Sequence, residues 1–270
     1  MQSPQTKRFV KEIGPSHGHR ADQEKTAQFG YKKVPEKEKI KWVRRHFDTV
    51  ARKYDFMNTL LSFGIHYLWK RTAIKMLKLQ EGYKVIDVCG GTGDLALSAA
   101  KVLGPSGRVV LYDINRLMIQ VGRPRAKKSP HGRIIHYIQG DAEEISFKTC
   151  SFDAAMVGFG IRNLTHMEKG LSEMYRLLKP SGKLMCLEFS QPTAPLFRWL
   201  YDFYSFQIMP FLGWIIVGSR QAYTYLPESI KMFSSPAELT GMLMRVGFSQ
   251  VTHRKLTNGI AFIHLAEKSK

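Results

Sequence analysis

Acidic residues are scarce in this chain. Lysine and arginine number 41 against 22 aspartates and glutamates, a formal net charge of +19 over 270 residues. That excess implies an anionic partner, whether nucleic acid, anionic lipid or an acidic substrate. Cysteine is scarce too. Cys89, Cys150 and Cys186 have no metal-ligand spacing, and Cys89 and Cys186 lie in apolar runs, which suits buried free thiols in a reducing compartment. No apolar run reaches the roughly 18 residues that a membrane span needs. The N-terminus lacks the apolar core of a signal peptide, and it carries Glu12, Asp22 and Glu24, which transit peptides avoid. A cytoplasmic protein made without a cleaved leader is therefore expected. Hydrophobic residues make up 44% of the chain, which supports an ordinary core and excludes wholesale disorder.

What is present is organised around Val85-Ile86-Asp87-Val88-Cys89-Gly90-Gly91-Thr92-Gly93-Asp94-Leu95-Ala96. Val85 to Cys89 is mostly β-branched, as a strand buried on both faces should be. Gly90, Gly91 and Gly93 let the backbone turn and approach a ligand with no Cβ in the way. Leu95 to Val102 reads as a helix whose first amides point at whatever the loop holds. A second apolar run, Val109 to Tyr112, ends in Asp113, where a carboxylate can bind both hydroxyls of a ribose. A ligand-free glycine turn is the bland alternative. Strand, loop, helix, second strand and terminal acid in that order argue against it.

Gly91-x-Gly93-x-x-Ala96 satisfies a relaxed dinucleotide fingerprint, so NAD is one candidate ligand. S-adenosylmethionine is the other, and two acids favour it. Asp87 precedes the glycines and Asp94 follows them; both would repel a pyrophosphate and attract an amino group and a sulfonium. A third acid, Asp141 in Gly140-Asp141-Ala142-Glu143, follows the third strand, where an adenine amino group can be read.

In chain order, residues 1–35 are polar and read as a basic, mobile arm; His17 and His19 are two ligands, too few for a metal site. Residues 1–53 hold fourteen Lys/Arg against six acids. Glu36 to Lys53 and Leu60 to Leu79 read as helices, a cap (36–80) over the glycine loop's ligand. Helix is expected over Arg116–Arg123 and Thr165–Leu178, and strand over Ile134–Gln139, Phe152–Phe159 and Lys183–Phe189. A stretch without acids runs from Ile114 to Gly140, read either as a solvated face or as an anionic contact. Residues 194–218 hold eight aromatics with only Arg198 and Asp202 charged; core packing competes there with a wall for a large apolar ligand or a lipid-facing surface, within an insertion over 194–230. A helix from Ser235-Pro236 to Val246 and strands over Phe248–Leu256 and Ile260–Leu265 close the chain. Five β-then-α units and a strand pair make a seven-stranded, mostly parallel α/β sheet covered on both faces, with the cofactor loop where strand order reverses.

Three further stretches carry a family likeness: Phe159-Gly160-Ile161-Arg162-Asn163, Leu187-Glu188-Phe189-Ser190 and Tyr223-x-Tyr225-Leu226-Pro227-Glu228-Ser229-Ile230. With Gly90-Gly91-Thr92-Gly93-Asp94 and Lys53-Tyr54-Asp55-x-Met57-Asn58, the chain resembles the ubiquinone/menaquinone biosynthesis C-methyltransferases over about residues 40–266. The resemblance implies a class I S-adenosylmethionine-dependent methyltransferase of Rossmann-like fold, acting on a ring carbon of a polyprenylated quinol and releasing S-adenosylhomocysteine. It implies Thr92, Asp113, Asp141 and Ala142 as cofactor contacts, beside Asp87, Gly90, Gly91 and Gly93 from the loop. Relatives with Ile-Ser-Phe-Gly place a serine in cofactor contact where this chain has Gly158, so that contact is not carried over.

That chemistry distributes roles. An aromatic carbon attacks the methyl group only as a neighbouring ring hydroxyl loses its proton, so the site must hold a phenolate or supply a base. Arg162 cannot be a base, but it can hold the oxyanion or orient a water; its structural alternative is a salt bridge to Glu188. Asn163 can bond a quinol oxygen, and Tyr54 and Asp94 are candidates to close the site and relay the proton. His166 is either a base or a surface histidine at a helix start. The expected partners are the quinol and an anionic membrane surface, with a homodimer or other quinone-biosynthesis enzymes open. The expected place is the cytoplasmic, inner face of a bacterial membrane, ahead of a mitochondrial matrix. An RNA-binding methyltransferase, suggested by the charge, competes, although the Asn/Asp-Pro-Pro-Tyr signature of amino-nitrogen methylation is absent. So does a non-catalytic scaffold, against which the intact loop and Asp113 argue. No metal is expected.

Overall fold

The computed structural model describes residues 25–270. The described chain opens with an antiparallel hairpin, β1 (Thr26–Phe29) and β2 (Lys32–Pro35), turned at Gly30 with φ +60°. Residues 26–35 therefore correct the expectation of an arm over 1–35; residues 1–24, with His17 and His19, lie outside the described residues. A pair of four-residue strands is marginal alone, and tertiary contacts hold this one. Phe29 stacks on Tyr225 with ring centroids 4.1 Å apart, and the Tyr31 amide donates to Glu228 Oε2 at 3.1 Å.

The cap comprises α1 (Lys39–Val50), α2 (Tyr54–Leu61) and α3 (Ile65–Leu77). The helix expected over Leu60–Leu79 is broken at Phe63 and Gly64, at φ 50° and 75°, a turn that Gly64 makes without a Cβ penalty. The alternating part follows as β3 (Lys84–Val88), α4 (Asp94–Leu103), β4 (Arg108–Asp113), α5 (Arg116–Lys127), β5 (Ile135–Gln139), β6 (Phe152–Gly158), α6 (Met167–Leu177) and β7 (Leu178–Phe189). One link departs from five β-then-α units: no helix joins β5 to β6. The irregular backbone there is satisfied from α6. Arg176 donates to the carbonyls of Ile145 and Phe147 at 2.8 and 2.7 Å, and Glu173 accepts from the Ile145 amide.

The chain then runs through α7 (Pro195–Phe203), a π-helical turn (Tyr204–Ile208), α8 (Met209–Val217), α9 (Arg220–Lys231) and α10 (Pro236–Val246), and ends in β8 (Gln250–Leu256) and β9 (Ala261–Glu267). The strand order is β5-β4-β3-β6-β7-β9-β8, with β3 to β7 parallel and β9 antiparallel to both neighbours. Successive residues of β3 serve opposite faces. Val85 packs with α3 and α4, and Ile86 and Val88 pack with α6 and α10. Sequential strands leave β3 in one direction and continue from β6 in the other, so the loops after β3 and β6 border the crevice where such sheets bind ligands.

The segment expected to hold no span-length apolar run is also corrected. α7, the π turn and α8 form one helix over Pro195–Val217, 23 residues, long and apolar enough by length and composition to cross a membrane. Pro210 has no N–H and its ring crowds the carbonyl one turn earlier; the wider turn at Tyr204–Ile208 lets the helix continue past it.

Candidate active site

The glycine loop is built by close approach. Cys89, Gly91 and Gly93 all have positive φ (55°, 55° and 84°). A Cβ on Gly90 or Gly93 would come within 2.8 or 2.9 Å of the Leu111 side chain, and one on Gly122 of α5 within 2.2 Å of the Thr92 carbonyl oxygen. The loop is thus pressed between β4 and α5. Facing it, Phe159 also holds positive φ (59°), and a Cβ on Gly160 would lie 2.4 Å from that of Cys89. Strain of this kind gathers where geometry is over-determined.

Asp87 stands behind the loop and does not line the cleft. Its Oδ2 accepts the Ala96 amide at 2.9 Å, while Oδ1 has no hydrogen-bond partner among the described residues. Burial pushes its carboxyl up to about 8, so at neutral pH it is mostly an acid.

A cleft of about 720 Å³ opens beside the loop. Gly91, Asp113, Asp141 and Ala142 line it; Gly90, Thr92 and Gly93 lie in the loop behind that wall. Asp113 accepts the Gly91 amide on Oδ2 (2.8 Å) and the Asn115 amide on Oδ1 (2.7 Å), and burial lifts its carboxyl to about 6. Asp141 caps the amide of Glu143 at 2.9 Å. Among the described residues lining this cleft there are three acids and no lysine or arginine. A pyrophosphate would find no counter-charge here. A ligand with a ribose, an amino group and a sulfonium fits, because acids face it and the glycines let the backbone approach it.

A second, larger cavity of about 1480 Å³ adjoins the first, and Phe47, Tyr54 and Phe159 belong to the walls of both. Its lining is apolar and aromatic, with Arg162 among the few charged groups. Arg162 Nη1 donates to Glu188 Oε1 and to the Phe159 carbonyl, each at 2.6 Å, and Nε to Ser229 Oγ at 3.3 Å; Nη2 has no hydrogen-bond partner among the described residues. The salt bridge to Glu188 is thus real, and it leaves one edge of the guanidinium unused. Asn163, on the wall of the first cleft, accepts Tyr225 Oη at 2.7 Å on its carbonyl oxygen. Burial raises Tyr54, so its hydroxyl keeps its proton at neutral pH. His46 and His66 line the larger cavity too, and burial drops both to about 4. No spacing in the sequence points to either histidine. Tyr225 lies within a quoted motif, but no role at the site was read for it.

Asp94 and His166 stand elsewhere. Asp94 lines neither cavity. It bonds Lys70 at 2.5 Å and Arg125 at 2.6 Å, and despite burial these cations hold its carboxyl below the usual range. Arg125 also binds Asp55 at 2.7 Å and the Thr92 carbonyl at 2.9 Å, and Asp55 accepts Thr92 Oγ1 at 2.6 Å. This cluster bolts α2 and α3 to the glycine loop, α4 and α5. His166, half-exposed at the start of α6, lies 3.3 Å from Glu36.

The model of the ubiE/COQ5 methyltransferase family matches residues 32–268. The chain belongs to that family. Relatives include the ubiquinone/menaquinone biosynthesis C-methyltransferase UbiE of Pseudomonas fluorescens (strain SBW25), 44% identical over 244 residues, which cover 90% of this chain and 95% of that protein. The protein of the same name from Stutzerimonas stutzeri (strain A1501) is 43% identical over 243 residues, with the same coverage. Among solved structures, a SAM-dependent methyltransferase from Thermotoga maritima aligns with a TM-score of 0.59 at 18% identity, covering 84% of this chain and 99% of that one. A Haemonchus contortus methyltransferase aligns at 0.62 and 16%, covering 84% and 60%. These structures share the fold: the Rossmann-like class I sheet expected from the sequence is the fold of this family member.

Proposed function

We propose that the chain transfers a methyl group from S-adenosylmethionine to a ring carbon of a polyprenylated quinol, leaving S-adenosylhomocysteine. It is an S-adenosylmethionine-dependent C-methyltransferase of ubiquinone/menaquinone biosynthesis. The observation that carries the reading is the pair of adjoining cavities, one with Asp113, Asp141 and Glu143 but no lysine or arginine in its described wall and the other apolar and aromatic, sharing Phe47, Tyr54 and Phe159. When bound, the cofactor supplies an electrophilic methyl group. Asp113 would accept the ribose hydroxyls, Asp141 and Ala142 would border the adenine, and the Gly90–Gly93 loop would cradle the cofactor, with Asp87 bracing it from behind and Thr92 tying it to Asp55.

On the quinol side the ring hydroxyl must shed a proton whose ordinary pKa is about 10, each unit of depression being worth about 1.4 kcal/mol. The unused Nη2 of Arg162 would hold the resulting oxyanion, with Glu188 orienting the guanidinium. The amide nitrogen of Asn163 would bond a ring oxygen, since Tyr225 occupies its carbonyl. Tyr54, at the shared wall, would donate to the second oxygen. His46 and His66, dropped by burial to about 4, are too weak as bases to keep that proton, which would pass to solvent. Asp94 serves the site by fastening the cap.

The favoured ring is demethylmenaquinol, with 2-methoxy-6-polyprenyl-1,4-benzoquinol second, and the chain would work at the cytoplasmic face of an anionic membrane. The test is purified protein with methyl-labelled S-adenosylmethionine and each reduced quinone, followed by product mass. A gain of one methyl on the naphthoquinol ring is expected; label on neither quinol defeats the reading.

A further inference from the structure

A polyprenylated substrate lives in lipid, and the larger cavity opens through an apolar surface. Phe63, 79% exposed on the α2–α3 turn, and Phe197 and Leu200 of the Pro195–Val217 helix are wall residues of that cavity and exposed at the same time. Around them the helix presents Trp199 (65% exposed), Phe203, Phe211 and Trp214 (59%), and α3 presents Leu68. Resting on the quinol reading, we propose that this helix and the α2–α3 turn lie within the outer part of an anionic lipid leaflet, and that the cleft between them is the portal through which the quinol passes sideways from the bilayer into the larger cavity.

The helix meets the composition of a membrane span, yet its packing sets it in the plane of the surface. Ser205, Met209 and Gly213 are buried. A Cβ on Gly213 would lie 2.2 Å from the Tyr223 ring, and Tyr204 Oη donates to the Leu61 carbonyl at 2.9 Å. Asp202 is neutralised by Lys231 at 3.0 Å. A helix fastened to the domain along one side cannot cross a bilayer, but its free aromatic side can sink into one. Charge selects the leaflet. Exposed Arg198 and Arg220 stand near the two ends of the helix, and the Lys53 amino group bonds the Ile216 carbonyl. The same charge disfavours a second copy as the cover, since two molecules of net charge +19 repel, and a copy seated there would seal the portal.

Tryptophan fluorescence reads the contact directly. The four tryptophans are Trp42, Trp69, Trp199 and Trp214, and only the last two stand on the proposed face. The full chain bound to phosphatidylcholine–phosphatidylglycerol vesicles with brominated acyl chains should lose most of its Trp199 and Trp214 emission. The W199F/W214F variant should lose the quenching. W199E/W214E should bind those vesicles about tenfold more weakly or worse, with KM for a long-tailed quinol in vesicles raised by a similar factor. Its turnover of a short-tailed, water-soluble quinol should stay at the parent value, which also reports that it folds; should the glutamate pair misfold, W199S/W214S is read the same way. Unquenched emission in the bound parent, or parent-like vesicle binding by the folded polar variant, overturns the proposal. So does a solution dimer that the polar variant converts to monomer, which would make the face a subunit contact. Resistance of the parent to alkaline extraction would make the helix a span and equally overturn it. If instead the quenching is seen but the parent methylates no quinol of either tail length, the substrate reading has failed while the lipid contact stands.

Discussion

Asp113 receives a backbone amide on each oxygen, and burial still lifts its carboxyl to about 6. A carboxylate accepts hydroxyl hydrogen bonds better than a carboxylic acid does. Affinity for S-adenosylmethionine should therefore rise as pH passes through about 6 and level off above it. Asp113→Asn should flatten that profile and weaken binding roughly tenfold, the scale of one lost hydrogen bond to a charged group; calorimetry across pH 5–8 (roughly one unit either side of the shifted pKa and beyond) checks both. Arg162 needs a more careful substitution. Removing it alone strands Glu188, buried and unpaired, which costs about 3–5 kcal/mol. Arg162→Met with Glu188→Gln leaves no such charge. That pair should fold, bind the cofactor as the parent does, and turn over about a hundredfold more slowly, the usual scale for losing an oxyanion donor. Single-turnover rates within severalfold of the parent would make Arg162 structural.

At the scale of elements, the cluster of Asp55, Lys70, Thr92, Asp94 and Arg125 is what fastens the cap to the cofactor loop. Arg125→Met should lower stability by about 1–3 kcal/mol and weaken cofactor binding although Asp113 is intact. In a double-mutant cycle with Asp55→Asn, thermal melts should give a coupling of about 0.5–3 kcal/mol; additive effects would mean the cap is held by other contacts. None of this was legible beforehand. Asp94 reads as a loop acid, and its partners come from α3 and α5. The central strands β3, β4 and β6, by contrast, were readable almost residue by residue, because parallel strands buried on both faces must be continuous apolar runs and Asp113 marks the end of one, whereas β7 starts at Leu178, five residues before the expected Lys183. The β1–β2 hairpin was not, since Lys32, Lys33 and Gln28 carry no strand signal and the order comes from Tyr225 and Glu228, nearly two hundred residues away. The aromatics of 195–217 were visible, but their continuity in one helix was hidden by Pro210 and the π turn before it.

Over the whole molecule, the N-terminal positive charge falls mostly among the described residues. Residues 1–24 hold four Lys/Arg and three acids, whereas residues 25–53 hold ten and three, so the basic excess of residues 1–53 falls mostly on the hairpin, α1 and the turn that follows it. Removing residues 1–24 should accordingly leave binding to anionic vesicles nearly unchanged. The binding itself should fall steeply with salt and be weak on neutral vesicles, each basic group at the surface contributing about 1 kcal/mol; sedimentation with both lipids checks this, and equal binding to the two would remove the electrostatic account. Asp87 carries a different consequence for the molecule as a whole. Its carboxyl ordinarily loses its proton near 3.8 but in the fold does so at about 8, so at pH 7 the native chain holds a proton that the unfolded chain has released. Stability from this group is full below the ordinary value and declines as pH rises toward the shifted one, at up to about 1.4 kcal/mol per unit. At this group, unfolding near neutrality releases a proton. The heat of melting measured in a scanning calorimeter near pH 7 should depend on the ionisation enthalpy of the buffer, and Asp87→Asn should lower the number of protons released by close to one, because His46 and His66, neutral in the fold, take up protons on unfolding in both proteins alike.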